Sequence, residues 1–271
     1  MTRLDGHLEL TCAADAEGRS YLRHQSFSAP FHLSKPYCDN EVLVAQIANP
    51  TAGLFANDRL RSDVRVEPGA RLHLTTPSAS RVHTMRDGRA EAHQKFDIAS
   101  QAWLDYFPAP LILQAGSRHR QVTQISTEDG AEVFFVETLV PGRVAHGESF
   151  AFAELDWEFD LRISHRFVAR ERFCLRPSDQ SLSSWRSVYP AAYYASAWLL
   201  SNRVATDAGA WDSIRALNSE VVMLGVSSIA PRLWSLKLLA ADGVSATKTL
   251  HAIRQHLAME IPELRCVVRK L

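Results

Sequence analysis

Cysteine is scarce and scattered in this chain. Cys12, Cys38, Cys174 and Cys266 form no C-x-x-C pair, which excludes the usual spacing of a structural zinc site and the disulfide framework of a small secreted domain. Charge of one sign is lacking too. The 30 basic and 30 acidic residues cancel over 271 positions, so no global field favours nucleic acid or an anionic membrane. The longest apolar runs are interrupted by Arg, Asp or Ser well short of a membrane span, and Met1-Thr2-Arg3-Leu4-Asp5-Gly6-His7 has no signal-peptide core. A cytoplasmic protein is expected, with neither membrane nor nucleic acid as partner. The common catalytic loops are also missing: there is no G-x-S-x-G elbow, H-E-x-x-H helix, Walker loop or G-x-G-x-x-G turn. Gly225-Val226-Ser227-Ser228 comes nearest to a nucleophile loop but lacks the second glycine. No enzyme is expected.

What the chain does contain is strand signal. Trp157, Phe159, Leu161 and Ile163 alternate with Glu158, Asp160, Arg162 and Ser164, a period of two that buries one face of a pleated strand. Similar runs at 42–47, 64–66, 71–76, 133–140 and 221–227 are rich in β-branched and aromatic residues. Between such runs, Pro68-Gly69, Asp87-Gly88, Asp129-Gly130 and Pro141-Gly142 supply the restricted or positive φ values that turns need. Repeated strands and turns predict a mainly β fold of stacked, largely antiparallel sheets. Two helices are expected late in the chain, near 207–218 with Asp207 as cap, and near 245–258 with Ser245 before Leu250, Ile253 and Leu257. A strand pair at 221–228 and 233–240 lies between them. With 46% hydrophobic residues and no compositional break, residues 1–271 read as one domain.

Four segments carry a more specific signal: Asn49-Pro50-Thr51-Ala52-Gly53-Leu54-Phe55-Ala56-Asn57-Asp58-Arg59-Leu60; Leu72-His73-Leu74-Thr75-Thr76-Pro77-Ser78-Ala79; Trp103-Leu104-Asp105-Tyr106-Phe107-Pro108; and Gly142-Arg143-Val144-Ala145-His146-Gly147-Glu148-Ser149-Phe150. In this order and at these separations the chain resembles the urease accessory protein UreD family, also called UreH. It departs from the family pattern at Ala52, where the first glycine of a pair stands, at Asn57, where a glycine precedes the aspartate, and at Asp105, where a glutamate stands. The resemblance implies a β-helix-like stack of sheets with two C-terminal helices. It also implies a chaperone of metallocentre assembly that docks on apo-urease with UreF-like and UreG-like partners and passes nickel to the urease site.

Nickel in transit needs weak, exchangeable oxygen contacts, because a thiolate or multi-histidine cage would retain it; no tightly bound cofactor is implied. Carried over by motif, the candidates for such a passage are Asp58, Thr75, Thr76, Asp105 and Glu148. Each has a structural alternative: Asp58 as a turn cap or partner of Arg59 or Arg61, the threonines as strand formers, Glu148 as the partner of Arg143. His73, His83 and His93 are evenly spaced, but equal spacing is not coordination geometry, and His251 and His256 are five apart and do not share a helix face. For docking, Tyr193, Tyr194, Trp198 and Leu199 are the residue types that carry interface energy when exposed, and the segment 189–200 is the expected contact with the UreF-like protein. The reading from another class is a small-molecule-binding or hydrolytic β-rich protein.

Overall fold

The computed structural model describes residues 3–179, 182–204 and 211–266. Its strands, in chain order, are β1 (Asp5–Ala14), β2 (Ser20–Phe27), β3 (His32–Leu33), β4 (Tyr37–Asp39), β5 (Val42–Ala48), β6 (Arg59–Val66), β7 (Arg71–Thr75), β8 (Ser80–Val82) and β9 (Ala90–Ile98). They continue with β10 (Trp103–Tyr106), β11 (Leu111–Leu113), β12 (Arg118–Thr127), β13 (Glu132–Val140), β14 (Glu154–Ile163), β15 (Arg166–Leu175), β16 (Tyr193–Leu200), β17 (Val222–Ala230) and β18 (Leu233–Ala240). The helices are α1 (Ser183–Val188), α2 (Asp212–Arg215) and α3 (Gly243–Leu257). The fold is mainly β, as expected.

Two sheets face each other. One runs β15-β14-β12-β9-β6-β1-β2; the other runs β17-β18-β16-β13-β10-β7-β5-β3, with β4, β8 and β11 paired beside that path. From β6 to β14 the chain alternates between them: β6, β9, β12 and β14 enter the first, while β7, β10 and β13 enter the second. Successive turns of the chain therefore lay strands of like direction side by side. The pairings β6–β9, β9–β12, β12–β14, β5–β7, β7–β10 and β10–β13 are all parallel. The expectation of largely antiparallel sheets holds at β1–β2, β3–β5, β4–β5, β14–β15, β13–β16, β16–β18 and β17–β18, and the central parallel pairings correct it. The physical reason lies in the turns. Pro68-Gly69, Asp87-Gly88 and Asp129-Gly130 each join a strand of one sheet to a strand of the other, so they are corners of a solenoid and not hairpins.

Inward residues of both sheets form the central core, among them Leu10, Val64, Phe96, Ile125 and Phe159 from one side and Leu72, Leu104, Phe135 and Trp198 from the other. The outer face of the first sheet is charged, and parallel register places Asp5, Arg59, Glu91, Arg120 and Asp156 next to one another on five strands. The second sheet is covered on its far side by α3, whose Leu250, Ile253 and Leu257 pack with Phe134, Val136 and Leu199. Helix α3 begins earlier than expected because Asp242 is its cap, accepting the Ser245 N–H at 2.8 Å. The expected helix near 207–218 is the short α2; Asp207 lies outside the described residues. The helix α1 has no counterpart in the sequence expectations.

Candidate functional site: an inter-sheet cavity and the groove beside it

β13 is buried on both faces, and parity decides what each face meets. Val133, Phe135, Glu137 and Leu139 point between the sheets, while Phe134 and Val136 pack under the helices. Glu137 is thereby carried into the interior at 5% exposure. Its Oε1 accepts from Gln121 Nε2 at 2.5 Å, Thr123 Oγ1 at 3.1 Å and Gln94 Nε2 at 3.1 Å, and Tyr106 Oη donates to Gln94 Oε1 at 2.8 Å. Burial pushes the Glu137 carboxyl up to about 8, against the opposing effect of these donors. Tyr106, Gln94, Gln121, Glu137, His119 and Thr138 line a cavity of about 300 Å³ that reaches Thr51, Ser78 and Ser80. His119 is buried at its wall, and desolvation lowers its imidazole to about 4.

A buried polar row extends from Glu137. Across the second sheet Glu137 pairs in register with Ser196, and Ser196 with Lys237. Facing them from β15, Glu171 accepts from Tyr194 Oη at 2.5 Å, from Ser196 Oγ at 2.8 Å and from Lys237 Nζ. Burial lowers the Lys237 ammonium while the Glu171 carboxylate opposes that shift. Glu171 in turn adds to the rise at Glu137.

On the other face of the second sheet a groove of about 1230 Å³ runs between α3 and the strand ends, lined by Gln46, His73, Thr75, Phe107, His251 and Arg254 among others. Thr76, Pro108, Ala109 and Thr138 belong to both the groove wall and the cavity wall. The two spaces therefore adjoin at the strand ends.

Two of the five sequence candidates line these spaces. Thr75 donates to the Phe107 carbonyl at 2.6 Å and borders the groove, and Thr76 accepts the Ala109 N–H at 2.8 Å and borders both spaces. The three carboxylates line neither. Asp58 is buried and accepts two backbone N–H groups, from Leu4 at 3.0 Å and Phe55 at 2.8 Å, so it ties its loop to the first strand. Glu148 pairs with Arg143 at the surface, with one contact at 2.9 Å, and accepts from the Ala115 N–H at 3.3 Å. Its neighbour Gly142 is required by geometry: φ is +150° and an added Cβ would lie 2.4 Å from the Glu148 carbonyl oxygen. Asp105 is 0% exposed and accepts from His73 Nδ1 at 2.6 Å and from Arg254 at 2.8 and 2.5 Å. Burial alone would raise its carboxyl; the Arg254 and His73 charges and hydrogen bonds overcome that and lower it to about 2. The departure at Asn57 also has an account: its φ is +69°, a left-handed position in which asparagine is the usual substitute for glycine.

The expected docking anchors are corrected by burial. Trp198 is 6% exposed and stacks on Phe159 at 4.7 Å, Leu199 is 0% exposed under the helices, and Tyr194 is buried beside Glu171. Only Tyr193 of the four is partly exposed, in the groove wall. β16 is an interior strand of its sheet and is covered on both faces, so its aromatics serve the core. The three evenly spaced histidines do not meet: His73 lies in the second sheet, His93 in the first, and His83 stacks on Phe55 and bonds the Ala52 carbonyl. Among the described residues no group of three His, Cys, Asp or Glu side chains is arranged to hold a metal ion, and no helix is long and apolar enough to cross a membrane.

Glu137 and Glu171 were missed as site residues because each sits in a strand without a motif around it. Glu137, with Thr138 after it, interrupts the run Val133-Phe134-Phe135-Val136 and Leu139-Val140, and a carboxylate inside so apolar a run is the available signal.

Comparison with known proteins agrees with the motif evidence. The family model described as UreD urease accessory protein matches residues 4–269. A urease accessory protein UreD of Opitutus terrae is 42% identical over 98% of this chain and 98% of its own. One from Mycolicibacterium gilvum is 30% identical over 69% and 70%. A urease accessory protein UreH of Helicobacter hepaticus is 25% identical over 65% and 70%. A match that spans nearly the whole chain, together with the four motif segments, places this protein in the UreD urease accessory protein family.

Proposed function

We propose that this protein is a non-catalytic assembly factor that docks on apo-urease together with UreF-like and UreG-like partners and passes nickel toward the urease active site through its interior. The observation that carries the reading is the junction at Thr76 and Thr138, where a wide groove adjoins an inter-sheet pocket with a buried carboxylate in its wall. Hydroxyls, side-chain amides and one carboxyl are ligands a hydrated divalent cation meets and leaves. Their arrangement suits transit because no set of three strong ligands accompanies them among the described residues. Energy for the cycle comes from the GTPase partner, since the sequence has no phosphate-binding loop. Thr75 and Thr76 keep the role expected of them, and Glu137 takes the place of Asp58, Asp105 and Glu148 as the passage carboxylate.

Glu137→Gln tests this. The amide oxygen retains the acceptor at Oε1, so the cluster survives while the ionisable group is lost. The expected result is a fall in urease nickel content and activity in cells carrying the variant, with pull-down of the UreF-like partner and apo-urease unchanged. Full activation with an intact complex would remove Glu137 from the passage.

A further inference from the structure

The two sheets end out of step on the side of β15 and β17. Glu171 on β15 bonds Ser196 on β16 and Lys237 on β18, so β15 lies opposite those two strands. The first sheet stops at β15, whereas the second continues past β18 to β17. Strand β17 therefore overhangs. Its register with β18 puts Met223, Gly225 and Ser227 on the face of Lys237, which is turned toward the first sheet, and all three are exposed. Its other face is covered, with Val222 and Leu224 packed under α3. Beneath the overhang, β15 makes no backbone hydrogen bond to any strand but β14 among the described residues. Helix α1 closes one end of this step, where Trp185 packs on Phe173, and the edge along 166–172 has no strand beside it.

A strand entering the step would have two unlike faces, because its side chains alternate. Toward β17 it would meet Met223, Gly225 and Ser227, none of them charged. On the outer side it would lie next to Arg170 and Arg172, whose side chains are 49% and 56% exposed. Arg172 reaches Asp156 and Glu158 only at 3.9 and 3.7 Å. Arg162, which shares the exposed Phe167 ring with Arg170, has no carboxylate partner among the described residues. Opposite charges stabilise cross-strand pairs, so acidic side chains suit this row. The overhang also selects a lone strand. Antiparallel pairing of β15 with the β15 of a second copy would place that copy's β17 where β18 already stands.

We propose that β15 takes up one extended segment of a partner protein, alternating apolar and acidic residues, as an added strand beneath β17. The inference is independent of the passage reading.

Amide hydrogen exchange of the full chain, followed by mass spectrometry, tests it with two blocked peptides, one alternating valine with glutamate and the other valine with lysine. Exchange across 166–172 is expected to slow as the glutamate peptide is added, and to slow much less with the lysine peptide. In Arg172→Glu the concentration needed should rise for the glutamate peptide and fall for the lysine peptide, each by roughly 2- to 5-fold. If that variant melts early, the comparison of the two peptides on the wild type decides. Equal protection by both peptides, or protection confined to β2 or β17, would overturn the proposal. Unchanged exchange at 166–172 would do the same and leave the edge arginines as guards against pairing. A dimer in sedimentation, with exchange at 166–172 already slow in the peptide-free protein, would also overturn it by assigning the edge to a second copy.

Discussion

Three donors converge on one oxygen of Glu137, yet the carboxyl is still raised from 4.5 to about 8 because the surrounding sheets exclude water. Between those two values the folded chain holds a proton that the unfolded chain has released. Stability contributed by this group is therefore full below about pH 4.5 and is lost as pH rises through about 8. In Glu137→Gln that loss is absent. Thermal melting across this range should show the wild type falling relative to the variant, with the gap widest on the alkaline side; parallel curves would mean that the carboxyl titrates normally. The same proton matters for transport, because a cation that binds Glu137 at neutral pH has to displace it.

At the scale of elements, the instructive strand is β17. It lies at the edge of its sheet, has no charged residue and exposes Met223 and Ile229, a combination that invites pairing with other chains. The chain covers part of this edge itself. Asn218 accepts the Leu224 N–H at 2.8 Å and donates to the Leu224 carbonyl at 2.9 Å, and Ser219 and Val222 exchange backbone hydrogen bonds at 2.9 and 3.3 Å. Asn218→Ala frees both Leu224 groups. We expect a loss of about 1–2 kcal/mol in urea unfolding and increased light scattering at high concentration. A variant as stable and as dispersed as the wild type would show that water replaces Asn218 at no cost.

Across the whole molecule, helix α3 is joined to the solenoid by an ion pair between residues 149 positions apart, Asp105 on β10 and Arg254 on α3. Both are buried, so the pair is costly to break from one side. Arg254→Met leaves Asp105 with His73 alone and should destabilise the chain by about 3–5 kcal/mol, measured by urea unfolding. Adding Asp105→Leu removes the stranded charge and should recover much of that loss. If the single variant is neutral, apolar packing of Leu250, Ile253 and Leu257 alone holds the helix in place.

Period-two patterning and turn chemistry are local, and they were enough to determine a mainly β chain, several of its strands and the last helix. The motif segments were enough for the family. Which sheet a strand enters is not local: Pro68-Gly69 and Asp129-Gly130 have the composition of hairpin turns, and only the corner they make between two sheets reveals parallel pairing. The same limit applied to the site. Asp58, Asp105 and Glu148 sit in motifs and were legible, but their partners, the Leu4 amide, Arg254 and the Arg143 guanidinium, already engage them. Trp198 and Leu199 have the chemistry of interface anchors, and only the covering of both faces of β16 assigns them to the core. Glu137 belongs to no motif, and its environment is assembled from β9, β10, β12 and β13. Residue type and spacing set what each side chain is able to do, whereas burial and partnership, which strands far apart in the chain create together, decided what it does.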